Sequence, residues 1–400
     1  MPKLLIIADD LTGALDTGVK FSEAGLKTTV STRWQDETAD ESADVAVLCA
    51  DTRHLPSDQA YRVIRSIAEK NRERFPLLMK KTDSGLRGNI GAELQAVMDG
   101  AGEKHLAFLP ALPEMRRVTR GGVQYIDGVP VSRSVFGRDP FEPVLDDEIP
   151  RLLGRQCSLP TRVISRTETR EPDAEEGASI RIYDAETSDD MRRAIGQVLG
   201  SGQVRVLAGC AGLAQALAGE LSDGTSLTET APANEPLLVV CGSVNGISAR
   251  QLDYAEAAGF VRRHLPMSYL LGNENSQAVL DSLVRDCAGD APVMVDTFSQ
   301  APDAGTTPSP AELEDRRRMI STRLGTLVKE LMDRGVRRRI LIIGGDTLLA
   351  LMAALGCSSL TPVREPARGV VLSVLDYAGE RYRILSKSGG FGSEDLLTRL

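Results

Sequence analysis

Short apolar runs recur along this chain, and each ends in a polar or glycine-bearing turn before a segment of helical periodicity begins. Leu4 to Ala8, Val45 to Cys49, Leu77 to Lys80, His105 to Leu109, Ser179 to Tyr183 and Val204 to Ala208 are strand candidates in the first half, and Leu237 to Cys241, Ile340 to Ile343 and Tyr382 to Leu385 in the second. Helical patterns about Ala14 to Ala24, Asp58 to Arg72, Ile90 to Asp99 and Ala311 to Arg334 lie between them. Strands alternating with helices join as largely parallel sheets, so the expectation is an α/β chain of Rossmann-like, three-layer architecture. Val123 to Val131 departs from this rule: alternating residues around Asp127-Gly128 predict a small β-hairpin.

At 400 residues the chain exceeds what one hydrophobic core usually supports. The stretch Leu221 to Pro236, rich in Ser, Thr, Pro and Gly, reads as the interdomain linker, which predicts domains of 1–230 and 231–400. Ser299 to Pro310 reads as a second surface excursion.

The formal net charge is -9, with no long Lys/Arg block, which excludes nucleic acid and anionic membrane as natural partners. No stretch approaches the ~20 apolar residues of a membrane span, and the N-terminal apolar run is too short for a signal sequence. Cys49, Cys157, Cys210, Cys241, Cys287 and Cys357 are scattered without a C-x-x-C pair, which fits the reduced cytoplasm rather than disulfides or zinc. His54, His105 and His264 have no metal-ligand spacing, so no metal site is expected from them and a general base would be Asp or Glu.

Lys80-Lys81-Thr82-Asp83-Ser84-Gly85-Leu86-Arg87-Gly88-Asn89 sets ammonium groups, a carboxylate, a hydroxyl, a guanidinium and a carboxamide just beyond a strand. That mixture suits a small anionic, hydroxylated ligand. Asp9 and Asp10 follow the first strand, and Asp51-Thr52-Arg53 follow the next, so successive strand ends deliver charge to one sheet edge, where open α/β sheets build their sites. Asp10 or Thr12 capping the following helix, and a surface ion pair at Asp51/Arg53, are the plainer readings. The spacing of an aspartyl-nucleophile phosphatase is absent, because Leu11 and Thr12 stand two positions after Asp9 and Asp10. Arg116, Arg117 and Arg120 beside Gly121-Gly122 read equally as anion contacts or as a solvated basic face.

In the second half, glycine loops end strand candidates at Gly242-Ser243-Val244-Asn245-Gly246, at Gly344-Gly345-Asp346-Thr347 and at Ser386-Lys387-Ser388-Gly389-Gly390-Phe391-Gly392. Glycine lets a backbone approach phosphate closely, so the set reads as a nucleotide cradle; Ser243 and Thr347 as simple N-caps is the local alternative. No Walker A motif occurs, and Gly209-Cys210-Ala211-Gly212 does not complete a dinucleotide fingerprint.

With Ala8-Asp9-Asp10-Leu11-Thr12-Gly13-Ala14, Lys81-Thr82-Asp83-Ser84, Leu86-Arg87-Gly88-Asn89, the Gly121 to Pro130 hairpin and the glycine loops in this order, the chain resembles the four-carbon acid sugar kinase family over nearly its whole length. The resemblance implies ATP-dependent phosphorylation of threonate, erythronate or a related oxo-acid, with Mg2+ arriving as Mg-ATP. It assigns the sugar acid to Asp9, Asp10, Arg53, Lys81, Thr82, Asp83 and Ser84. Asp83, Asp10 and Lys81 are the catalytic candidates, with the general base open among Asp9, Asp10 and Asp83. It assigns ATP to Ser243, Gly344, Gly345, Asp346, Thr347, Gly389 and Gly390. The chain departs from the family at Gly85, where Thr is common, at Arg116-Arg117, where a Gly-Arg pair is common, and at Cys210, where Ser is common. The same pockets without turnover would make a nucleotide- or sugar-acid-sensing protein, and a homodimer is the base-rate expectation for assembly.

Overall fold

The computed structural model describes residues 3–35, 39–139, 142–168, 177–222, 224, 236–272, 276–298 and 310–400. They fall into two compact units, Met1–Thr228 and Glu229–Leu400. Most of the expected Leu221 to Pro236 linker, and the Ser299 to Pro310 excursion apart from its last residue, lie outside the described residues.

The first unit runs β1 (Leu4–Ala8), α1 (Leu11–Glu23), β2 (Thr28–Ser31), β3 (Val45–Cys49), α2 (Ser57–Asn71), β4 (Leu77–Lys81), α3 (Ile90–Ala101) and β5 (His105–Leu109). A small antiparallel sheet follows, of β6 (Arg117–Arg120), β7 (Val123–Ile126) and β8 (Val129–Pro130). Then come α4 (Ile149–Gly154), β9 (Thr161–Ile164), β10 (Ser179–Tyr183), α5 (Ser188–Ser201), β11 (Val206–Gly209) and α6 (Ala211–Leu221). The main sheet has the order β2-β3-β1-β4-β11-β5-β10-β9, and its pairs are parallel. Its central strands read as continuous apolar runs because helices cover both faces, and every residue of β1, β3 and β5 is buried.

The register fixes where the loops emerge. Ala8 pairs with Cys49 on one side and Lys81 on the other, so β1, β3 and β4 end level. The chain leaves β1 towards β2 and leaves β4 towards β5, in opposite directions, which opens a topological switch point between them. The predicted hairpin forms at Asp127 and Gly128, whose φ values of 51° and 81° are those of the turn that matches strand twist. Arg117–Arg120 adds to it a further strand that its mixed polar sequence did not announce.

The second unit runs β12 (Leu237–Cys241), α7 (Gly246–Ala257), β13 (Val261–His264), α8 (Met267–Leu270), α9 (Ser276–Cys287), β14 (Val293–Asp296), α10 (Pro310–Asp333), β15 (Arg339–Ile343), α11 (Gly345–Leu355), β16 (Ser359–Ala367), β17 (Val370–Tyr377), β18 (Glu380–Lys387) and α12 (Leu396–Arg399). Strand order is β13-β14-β12-β15-β18-β17-β16; the pairs up to β18 are parallel and the last two antiparallel. Cys241 pairs with Ile343, and Ile343 with Lys387, so β12, β15 and β18 also end level. The antiparallel meander was not foreseen, because β16 carries Pro362 and Pro366 and buries its residues only irregularly. Among the described residues, no helix is long and apolar enough to cross a membrane.

Helix packing behind the first sheet leaves no slack. A Cβ added at Gly100 of α3 would lie 2.5 Å from the Arg65 carbonyl oxygen of α2 and 2.8 Å from Ala68 Cβ. Gly100→Val is therefore expected to cost about 1–3 kcal/mol by overpacking, read as a lower urea midpoint at unchanged m-value. An unchanged midpoint would contradict the packing.

Candidate functional site

The first site grows from the level ends of β1, β3 and β4. Asp10 is the N-cap of α1: its Oδ1 accepts from the Gly13 N–H at 3.2 Å and its Oδ2 from the Thr12 hydroxyl at 2.6 Å. Capping does not exhaust it. Arg53, delivered by the turn after β3, donates from Nη2 to Asp10 Oδ1 at 2.7 Å and from Nε to Asp9 Oδ2 at 2.7 Å. One planar guanidinium thus ties two adjacent carboxylates, which an ammonium could not do in this forked geometry. The turn is pinned by the Thr52 and Arg53 N–H groups donating to the Asp9 carbonyl.

Lys81, the last residue of β4, is buried beside them. A Cβ on Gly13 would sit 2.5 Å from Lys81 Nζ and 2.3 Å from Asp10 Oδ1, so glycine is required for the ammonium to lie over the first turn of α1. Burial alone would raise the Asp9 pKa, but Arg53, Lys80 and Lys81 outweigh it and bring the group from 3.8 to about 2. Burial likewise pulls Lys81 down, and Asp9 and Asp10 overcome it, so the ammonium stays charged. Asp9 Oδ1 is buried and has no hydrogen-bond partner among the described residues. The result is a desolvated cluster of alternating charge with one open acceptor.

The segment Lys80 to Asn89 divides into parts that face the site and parts that brace it. Strand alternation sends Lys80 to the opposite face from Lys81, where its Nζ lies 3.0 Å from Glu93 Oε2 in a fully buried pair. Glu93 also accepts from the Thr52 hydroxyl, and Asn89 Nδ2 donates to the Thr52 carbonyl at 3.2 Å and that of Leu55 at 2.8 Å. Both therefore hold the turn that carries Arg53. Asp83 accepts from Gly85 N, Arg87 N, Arg87 Nε and Arg87 Nη2 at 2.8–3.2 Å. Burial raises its pKa, yet Arg87 and Arg53 hold it well below the usual carboxylate range. Both its oxygens are committed to the loop.

Thr82 is buried with a hydroxyl that has no partner among the described residues, while Ser84 Oγ accepts from Arg117 Nη1. The three arginines of the hairpin region separate. Arg117 is buried against Ser84, whereas Arg116 pairs with Asp127 and Arg120 with Glu186 at the surface. Arg87 and Arg117 lie over the Phe136 ring at 5.1 and 5.0 Å from its centre, and Phe136 fills the space beside Gly85, where a Cβ would be 2.4 Å from the ring. Gly13 and Phe136 were not picked out as site residues, and Arg117 was one of three arginines that read equally as anion contacts or as a solvated basic face. Only tertiary packing brings Phe136 to Gly85, and no local signal carries it.

In the second unit the glycine loops after β12, β15 and β18 meet. A Cβ on Gly389 would lie 2.0 Å from Ser243 Oγ, and one on Gly242 would lie 2.1 Å from Thr347 Oγ1. Gly344, at φ 120°, could carry a side chain only under strain, and the position of its absent Cβ is 3.6 Å from the Ser243 N–H nitrogen. Ser248 Oγ bonds Ser243 Oγ at 3.3 Å and the Gly389 carbonyl at 2.9 Å, a link the sequence did not disclose. The capping roles fall elsewhere: Asn245 caps α7 and Gly344 occupies the N-cap of α11, so Ser243 and Thr347 are not caps. Gly345, Asp346 and Thr347 open α11, with Asp346 paired to Arg317 at 3.1 Å. Gly390 follows in the β18 loop, near Asn245. Two helix N-termini and close-approaching glycines make a surface whose chemistry suits an anion. No group of three His, Cys, Asp or Glu suited to a metal ion occurs among the described residues.

Residues 4–217 match the sugar-binding N-terminal domain model and residues 238–397 the nucleotide-binding C-terminal domain model. The chain is 28% identical to a D-threonate kinase of Salmonella typhimurium over 99% of its length and 96% of the relative's. It is 30% identical to a D-threonate kinase of Bordetella bronchiseptica, over 100% and 96%. A 3-oxo-tetronate kinase of Methylobacterium radiotolerans is 31% identical, over 98% and 97%. The fold is that of a Haemophilus influenzae protein of the DUF1537 family, with TM-score 0.73, 22% identity and coverage of 99% and 98%. A Salmonella typhimurium LT2 protein shares it at TM-score 0.78, 22% identity and coverage of 100% and 98%. The chain belongs to the four-carbon acid sugar kinase family.

Two expectations follow from the buried charges. Glu93→Gln strands the Lys80 ammonium and should cost about 3–5 kcal/mol, whereas Lys80→Met with Glu93→Leu should recover most of it in equilibrium unfolding. Equal losses in both would contradict a paired, desolvated bridge. Because the folded Asp9 pKa of about 2 lies below the unfolded 3.8, its contribution is present above pH 3.8 and lost as pH falls through that window. Asp9→Asn should flatten that part of the acid-stability profile, and an unaltered profile between pH 4 and 2 would contradict it.

Proposed function

We propose that this protein transfers the γ-phosphoryl group of ATP in line to a hydroxyl of a four-carbon sugar acid of the threonate, erythronate or oxo-tetronate type. The observation that carries the reading is the buried meeting of Asp9, Asp10, Arg53 and Lys81 at the switch point of the first unit. A carboxylate ligand there meets two cations and the N-terminus of α1, while its hydroxyls meet acceptors. Residues 1–230 would hold the acid and residues 231–400 the nucleotide, as the names of the two matching domain models suggest.

Roles follow from which atoms are open. Lys81 and Arg53 neutralise the acid's carboxylate or the moving phosphoryl group. Asp9, with Oδ1 unengaged, is the group best placed to orient the accepting hydroxyl and take its proton; Asp10 is the next candidate. Asp83 is better suited to fixing the loop than to proton transfer, since its two oxygens already accept from Arg87 and Gly85. Thr82 and Ser84 shape the wall of the pocket. Ser243, Gly344, Gly345, Thr347, Gly389 and Gly390 cradle the phosphates, and Mg2+ enters with ATP. Asp346 is the only acidic residue in the three glycine loops and is the side chain that would meet that ion. The six cysteines are free thiols, in keeping with a cytoplasmic setting.

ATP consumption across a panel of four-carbon acids tests the reading. Turnover with at least one is expected, together with an about 10²–10⁴-fold loss of kcat in Asp9→Asn. Ser243→Ala should raise the KM for ATP with little change in that for the acid. No consumption with any acid would instead favour a sensor that binds both ligands without turnover.

A further inference from the structure

Lys387 ends β18 and is 1% exposed, the one lysine buried among the described residues of the second unit. Its Nζ donates to the carbonyls of Ser388 at 3.0 Å and Gly389 at 3.4 Å, which leaves one N–H uncommitted. No carboxylate pairs with it among the described residues. Ile343 and Val370 flank it in register, and Cys241 of β12 is the titratable neighbour. That thiol is pushed up to about 12, chiefly by burial, and is neutral. The acids farther along the same sheet edge are taken: Asp296 by Arg262 and His264, Asp346 by Arg317.

A buried ammonium without a counter-ion is costly unless an anion completes it. The carbonyl it holds at Gly389 is the same one that Ser248 bonds, and Ser248 in turn bonds Ser243. The lysine therefore lies directly behind the meeting point of the glycine loops. We infer that Lys387 is the charge-compensating residue of the nucleotide site, fixing the Ser388–Gly389 loop and supplying the positive charge that a nucleotide phosphate neutralises. The inference rests on the nucleotide-binding role proposed for this unit and gives Lys387, at the head of the third glycine loop, a specific part in it.

Desolvation lowers the pKa of Lys387 from 10.5 to about 8, and an adjacent phosphate would raise it. Below pH about 8 the lysine is charged with or without ligand, so affinity is flat. Above it, binding must draw in a proton, and affinity falls by up to about tenfold per pH unit.

The test is calorimetric titration of the full-length protein with ADP from pH 6.5 to 9.5, in buffers of different ionisation enthalpy. Wild type should bind with constant affinity up to pH about 8 and then weaken with uptake of a proton. Lys387→Met should bind ADP about ten- to a hundredfold more weakly at pH 7 and lose that pH dependence, and Lys387→Arg should recover affinity without it. Circular dichroism checks that the variants fold, and the wild-type pH profile stands even if one does not. Wild-type affinity independent of pH, or unchanged affinity in folded Lys387→Met, would overturn the inference while leaving nucleotide binding intact. Failure of the wild type to bind ADP would remove both.

Discussion

The first unit depends on one guanidinium. Arg53 joins Asp9, which is buried, and Asp10, which is partly exposed, at 2.7 Å each, and Lys81 balances the remaining charge. Removing one member would strand the others, so the turn after β3, the cap of α1 and the end of β4 are coupled. The buttresses obey the same logic: Glu93 and Asn89 both hold the segment from Thr52 to Leu55, which sets the reach of Arg53. Much of the polarity in Lys80 to Asn89 therefore serves to aim a group lying in another loop.

Sequence made the strand ends legible because apolar runs stop abruptly at charged or glycine-bearing turns, and because parallel strands in register must end together. It could not assign duties within a motif. Lys80 and Lys81 are neighbours of the same type, yet the two-residue period of a strand puts one on Glu93 and the other on the site. Asp83 read as a catalytic candidate beside Asp10 and Lys81, and nothing in the motif announced that Arg87, four residues on, engages both its oxygens. Phe136 packs on Gly85 from a distant turn, so nothing near either residue announces the contact. Strand β16 escaped for another reason: its prolines and half-exposed residues blur its period.

The two units solve similar problems with similar parts. Each has strands that end level, a switch point between strands leaving in opposite directions, and a buried lysine as the final residue of one of them: Lys81 on β4 and Lys387 on β18. In the first unit carboxylates keep the lysine charged; in the second it has only carbonyls. That difference fits the proposed ligands. A sugar acid brings hydroxyl donors as well as a carboxylate and needs acceptors beside the cation, whereas a polyphosphate brings only negative charge and acceptor oxygens.

The central claim is that the Asp9, Asp10, Arg53 and Lys81 cluster receives the sugar acid's carboxylate. Direct titration of a four-carbon acid that supports turnover into folded Lys81→Met, with ADP binding measured on the same preparation, tests it without relying on catalysis. The account predicts acid binding weakened about ten- to a hundredfold, as expected for loss of a charge-assisted contact, with ADP binding unchanged. Acid binding as tight as in the wild type would contradict it.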